Sequence, residues 1–183
     1  KMWAGDDDYF TDRLSTEGIT WTNGTDDMCV SDEATIPDAI AVGAYVSKGK
    51  WNDYEQHSHY YTRRNPEGDI AHFSSYATAA MSPTEQAYPW ITAPGSAVVA
   101  GVNHYHTTGV DAYSYLGTNY KELLVVNNAA SPYAVMKGTS MATPVAAGIV
   151  AQWLQAAKEK GISLTGSQVK EIMRLSAIND EYT

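Results

Sequence analysis

The run Lys137-Gly138-Thr139-Ser140-Met141-Ala142-Thr143-Pro144-Val145-Ala146-Ala147-Gly148 sets a serine where a long stretch of small apolar residues begins. A serine in the first turn of a helix lies among backbone N–H groups without intrahelical acceptors, at the positive end of the helix dipole. Negative charge developing on a substrate oxygen beside Ser140 would meet donors already oriented, the preorganisation that acyl transfer requires. Gly138, with no Cβ, lets a substrate chain approach the backbone closely. These residues suit Ser140 as a nucleophile, and Ala142, Ala146, Ala147 and Gly148 let its helix pass close to neighbouring strands.

Such a nucleophile needs a base. The chain has five His residues. His57 and His59 fall in a polar loop and His104 and His106 in a Tyr-rich one, where a solvated imidazole is expected; His72 falls in a strand candidate. None is placed to serve Ser140. Asp6-Asp7-Asp8 and Asp26-Asp27 lack the ligand spacing of a calcium loop and read as solvated turns, so no metal and no cofactor is expected. Cys29 is the single cysteine, which rules out an internal disulfide.

The elements that must position Ser140 follow from periodicity. Residues 1–27 are polar and acidic, without a sustained period, and read as a loop or the trailing edge of an inserted β segment; residues 28–183 form the main body. The run 38–46, DAIAVGAYV, suits a strand covered on both faces and so a parallel sheet. Polar residues 47–69 predict a surface loop or hairpin. Further strands are predicted at 70–75, at 90–93 and 97–102 on either side of Pro94-Gly95, and at 123–126, with 104–134 otherwise running over the surface. From Thr139 the pattern predicts a buried helix that emerges into solvent near Lys158-Glu159-Lys160 and stops at Gly161. Thr165-Gly166-Ser167-Gln168 is a capping box opening a helix over about 166–177. Strands alternating with helices make the class α/β.

Composition excludes some functions. Of 183 residues, 44% are hydrophobic, enough for one sizeable core. A formal charge of −9 leaves no basic surface for nucleic acid, with Arg63-Arg64 the one basic pair. No apolar run is long enough to span a membrane, and the first residues do not read as a signal peptide.

GTSMATPVAAG resembles the nucleophile motif of the subtilisin-like serine peptidases, in which this motif opens the central helix. Three further stretches fall in that family's order: Ile36-Pro37-Asp38-Ala39-Ile40-Ala41-Val42-Gly43-Ala44, Phe73-Ser74-Ser75, and Ile91-Thr92-Ala93-Pro94-Gly95. The likeness covers about residues 28–178. It implies the C-terminal part of a three-layer α/β fold with a mostly parallel sheet and a buried central helix starting near Ser140.

The resemblance implies that Ser140 is the nucleophile of a serine endopeptidase acting on polypeptide substrates. It makes the Ser140 N–H part of the oxyanion hole, with Gly138 and Thr139 beside the substrate and Met141 on the leaving-group side. The family's DTG-like and HGTHVAG-like segments, which carry the triad Asp and His, have no counterpart here and would lie before residue 1, so this chain alone is expected to be inactive. For the oxyanion Asn the in-chain candidate is Asn23; Asn23-Gly24 reads equally as a turn, and Asn23-Gly24-Thr25 as a glycosylation sequon. Trp90 stands where the family usually has Asp, which argues against the family's cation site there. A partner is implied as well, either the N-terminal half of the peptidase domain or another chain, because half a parallel sheet exposes strand edges. The family further implies a secreted, periplasmic or cell-surface location.

A non-catalytic binding module on a degenerate peptidase fold is the alternative, against which an intact GTSMATP run speaks. An α/β-hydrolase esterase fails because Ala142 stands where the nucleophile elbow has its second Gly and no His follows Ser140.

Overall fold

The structure, a computed structural model, describes residues 30–36, 38–62, 64–82, 86–103, 116, 120–128 and 130–178. The expectations for residues 1–27, Cys29, His104 and His106 lie outside these. A 3-10 turn, Asp32–Thr35, precedes β1 (Val42–Tyr45), β2 (Lys50–Asn52), β3 (Ser58–Tyr60), β4 (Ile91–Pro94) and β5 (Val98–Gly101). There follow α1 (Tyr120–Leu123), β6 (Leu124–Val126), β7 (Tyr133–Met136), α2 (Thr139–Glu159) and α3 (Gly166–Ser176).

β1 and β4 pair in parallel, with Val42 opposite Ile91 and Tyr45 opposite Pro94, as the apolar run around Val42 predicts. This pair carries the core. Ala44, Val46, Ala71 and Ala93 pack against Ala142 and Ala146 of α2 and against Val169 and Met173 of α3. Alanines at the crossing keep α2 close to both strands, and Met173 fills the space behind them. The other pairings are antiparallel: β2 with β3, and β7 with β5 on one side and β6 on the other.

Two expectations need correction. Residues 70–75 do not form a strand: Ile70 makes one antiparallel bridge to Tyr45, and the chain then turns, with the Ser74 N–H donating to Ala71 O. The Ser74 side chain takes the place of a strand there, its buried hydroxyl accepting from the Ala44 N–H at 3.0 Å and satisfying the edge of β1. Conversely, residues 133 and 134, expected to run over the surface, open β7, the middle strand of its sheet. Alternation of Tyr133 outward with Ala134 inward was too short a signal to separate from the Tyr-rich loop.

The helix of Ser140 is buried on one face only. Ala142, Ala146 and Ala157 face the core, while Ala147, Gly148, Ile149, Ala151 and Leu154 are exposed. The run is apolar all round because its other face has no cover among the described residues. No described helix is long and apolar enough to cross a membrane.

α3 is fixed at both ends. Thr165 Oγ1 accepts from the Gln168 N–H at 3.3 Å, and Gln168 Oε1 accepts from the Thr165 N–H at 2.9 Å, the capping box read from sequence. Trp90, just ahead of β4, donates Nε1–H to the Lys170 carbonyl at 3.2 Å and takes the Lys170 ammonium over its ring at 4.7 Å. In place of a carboxylate, Trp90 is therefore a clamp on α3. Thr165→Ala is expected to lower unfolding free energy by about 1 kcal/mol, and Trp90→Phe by about the same through loss of one donor. Urea unfolding of each variant beside the parent chain checks both.

Candidate active site

Ser140 sits in the first turn of α2 with its side chain exposed. Gly138 caps the helix with φ 149°, a value side chains rarely adopt, and no side chain caps the N–H groups that follow. The Met141 and Ala142 N–H groups donate to Gly138 O. Among the described residues no carbonyl accepts from the N–H of Thr139 or Ser140, so these two donors stay at the helix mouth. Pro144, lacking an N–H, leaves the Ser140 carbonyl without its usual partner one turn on, and Thr143 Oγ1 bonds back to Thr139 O at 2.9 Å.

What holds this turn is the approach of β4 to β1. Gly95, directly after β4, donates to Tyr45 O at 3.1 Å and accepts from the Gly138 N–H at 2.8 Å. A Cβ on Gly95 would lie 2.4 Å from Ala44 Cβ and 3.0 Å from Gly138 O. Only glycine leaves room for both strand and helix cap at this point. The Pro94-Gly95 break between strands thus carries the turn that holds Ser140.

Gly138, Thr139, Ser140 and Met141 are brought together as their spacing implies. Asn23 lies outside the described residues. Among the described residues, no hydrogen bond joins Ser140 to a His or an Asp. His72 sits edge-on to Phe73 at 5.3 Å between ring centres.

His59 is not freely solvated as its loop implied, whereas His57 keeps a 68% exposed side chain while facing the same carboxylate. Asp53, 5% exposed, lies between them in the turn of the β2–β3 hairpin. Its Oδ1 accepts from the Glu55 and His57 N–H groups at 2.9 and 2.8 Å, and its Oδ2 faces His59 Nε2 at 2.8 Å and His57 Nδ1 at 3.3 Å. Burial pushes this carboxyl up, but the hydrogen bonds from His59, from the backbone at His57 and Glu55 and from the His57 ring outweigh it, lowering the pKa from 3.8 to about 2. The hairpin is tied to the strands below it by Trp51 Nε1–H to Glu122 O at 2.7 Å and the Tyr54 N–H to Leu124 O at 2.8 Å. It reaches the Ser140 turn through Tyr61, whose ring carries the Lys137 ammonium at 4.6 Å. Sequence gave no sign of this contact, since residues 61 and 137 are far apart in the chain.

Two outcomes are expected. A carboxyl lowered from 3.8 to about 2 stabilises the fold fully above about pH 4, and that contribution disappears as pH falls toward 2. The stability difference between the chain and Asp53→Asn, read from thermal melts, should therefore be largest above pH 4 and shrink to nothing near pH 2. Gly95→Ala should cost about 1–3 kcal/mol by overpacking, whereas Gly148→Ala, which meets nothing within 4 Å, should gain about 0.5–1 kcal/mol as an exposed helix glycine. Denaturant midpoints for the pair check the contrast.

The model of the Subtilase family matches residues 4–182. That span extends the likeness, expected over about residues 28–178, to take in residues 4–27. No curated protein and no solved structure matches the chain. With a family match over almost the whole length, this chain belongs to the subtilases, a family of serine peptidases.

Proposed function

We propose that Ser140 is the nucleophile of a serine endopeptidase whose triad Asp and His, and most of whose substrate strands, are supplied from outside these 183 residues. The observation that supports this is the turn itself: an exposed hydroxyl beside two backbone N–H groups without acceptors, on a glycine cap braced by Gly95. In this reading Ser140 Oγ attacks the carbonyl carbon of a peptide bond while its proton passes to the triad histidine. The carbonyl oxygen takes the electron pair and is held by the Ser140 N–H, with Asn23 as the in-chain candidate for a second donor. Collapse breaks the C–N bond, the histidine protonates the leaving amine, and water then releases the acyl group from Ser140. Thr139 and Gly138 line the approach and Met141 the leaving-group side.

The chain by itself is inactive in this reading, because loss of the base alone lowers kcat about 10⁶-fold in subtilisin. The exposed face of α2 at Ile149 and Leu154, beside an apolar groove lined by Ile40, Val42, Ala147 and Val150, takes the rest of the peptidase domain or another chain. The protein acts outside the cytoplasm, in a secreted, periplasmic or surface-bound form. A non-catalytic binding module on a degenerate peptidase fold is the second reading.

Intact-mass labelling with a fluorophosphonate separates the two. Labelling at Ser140 in the full-length protein, none on this chain and none on Ser140→Ala is the expected result. A full-length protein that folds and does not label would favour the binding module.

A further inference from the structure

Lys137 is exposed and immediately precedes the Gly138–Thr139–Ser140 turn. Its ammonium lies 4.6 Å over the Tyr61 ring, and Tyr61 in turn leans on Trp51 with ring centres 4.7 Å apart. A cation over an aromatic face is held in place without losing its charge. Burial pushes the Tyr61 hydroxyl up to about 12, so the ring stays a neutral phenol and offers no anion to Lys137.

The rest of the charge distribution leaves this ammonium without a carboxylate of the chain's own among the described residues. The chain has 21 acidic residues against 12 Lys and Arg. Arg174 is already bound through two nitrogens to Glu171. Among the described residues no carboxylate lies within ion-pair distance of Lys137, although the hairpin beneath it carries Asp53 and Glu55 and α1 carries Glu122. Those acids are turned toward His57 and His59 instead. The Asp53 knot therefore has two results: it stiffens the hairpin that presents Tyr61, and it keeps the nearby carboxylates directed at imidazoles.

We infer that Lys137, seated on Tyr61 by the β2–β3 hairpin, is a specificity-determining residue that selects a carboxylate in the polypeptide bound beside Ser140. The inference rests on the peptidase reading of that site for its role in cleavage, but the recognition itself requires no catalysis. The carboxylate can belong to a Glu or Asp side chain or to the C-terminus of the bound peptide. Asp53 is a positioning residue in this arrangement, acting through the hairpin.

The test uses the full-length protein carrying Ser140→Ala, so that peptides bind without being cleaved, and four N-acetylated heptapeptides, with Glu or Gln at the centre and the C-terminus free or amidated. Binding is read from the NMR shifts of the Trp51 indole N–H and the Lys137 amide. The expected result is about fivefold tighter binding of carboxylate-bearing peptides, the size of an exposed ion pair. Preference for Glu over Gln assigns a side chain, and preference for the free over the amidated end assigns the C-terminus. Lys137→Met should abolish the preference and Lys137→Glu reverse it. Absence of any carboxylate-dependent shift, or a preference unchanged in Lys137→Met, would overturn the inference. Cleavage by the full-length protein gives the second arm, with kcat/KM for the same peptides normalised to fluorophosphonate-titrated sites. A carboxylate preference in binding, with no labelling of the unsubstituted full-length protein at Ser140, would sink the catalytic reading and leave the recognition site standing; labelling with no preference would do the opposite.

Discussion

The 2.8 Å hydrogen bond from the Gly138 N–H to Gly95 O joins the Ser140 turn to the parallel strand pair, and it exists only because neither glycine has a Cβ. Ala44 stands 2.4 Å from where a Gly95 Cβ would be, so the end of β4 lies almost flush on β1. α2 then starts at the level of the strand ends, with Ala142 and Ala146 filling the crossing. Larger side chains at any of these places would lift the helix and move Ser140 with it. The position of one hydroxyl thus depends on a contact made almost wholly of backbone and methyl groups.

Around that rigid centre the sheet edges are handled by side chains. Ser74 satisfies the Ala44 N–H where a further strand could have paired, and Trp90 holds the far helix by its indole N–H and its ring face. Asp53 does comparable work in the hairpin: a carboxylate out of water is tolerated because two backbone N–H groups and two imidazoles meet its oxygens. The hairpin so made leans on β6 and touches Lys137, joining an excursion in the chain to the turn that carries Ser140.

α2 shows the opposite situation. Its inner face is matched to the strands, but Ile149 and Leu154 are 42% and 44% exposed on the outer one, and Gly148 has open space where a Cβ would point. An apolar helix face of this kind is stable in water only at a cost, and association with further protein removes that cost.

The sequence by itself determined the nucleophile candidate and its seat, because Gly-Thr-Ser followed by small residues encodes a local conformation: a glycine cap, a first turn with unbonded N–H groups, a helix thin enough to cross strands. It likewise determined β1, whose apolar run admits only a doubly covered strand, and the start of α3, whose Thr165 and Gln168 are three residues apart and meet in any helix. Tertiary structure alone decided the rest. Residues 70–75 look like a strand until Ser74 turns its hydroxyl onto β1, and Tyr133–Met136 looks like loop until β5 and β6 close on either side. Whether α2 was covered on one face or two, whether His57 and His59 met water or Asp53, and whether Lys137 found an aromatic ring all depended on residues far away in the chain. Local propensities and caps act over a few residues and can be read in order, whereas burial and pairing are properties of surfaces that exist only after distant segments have met.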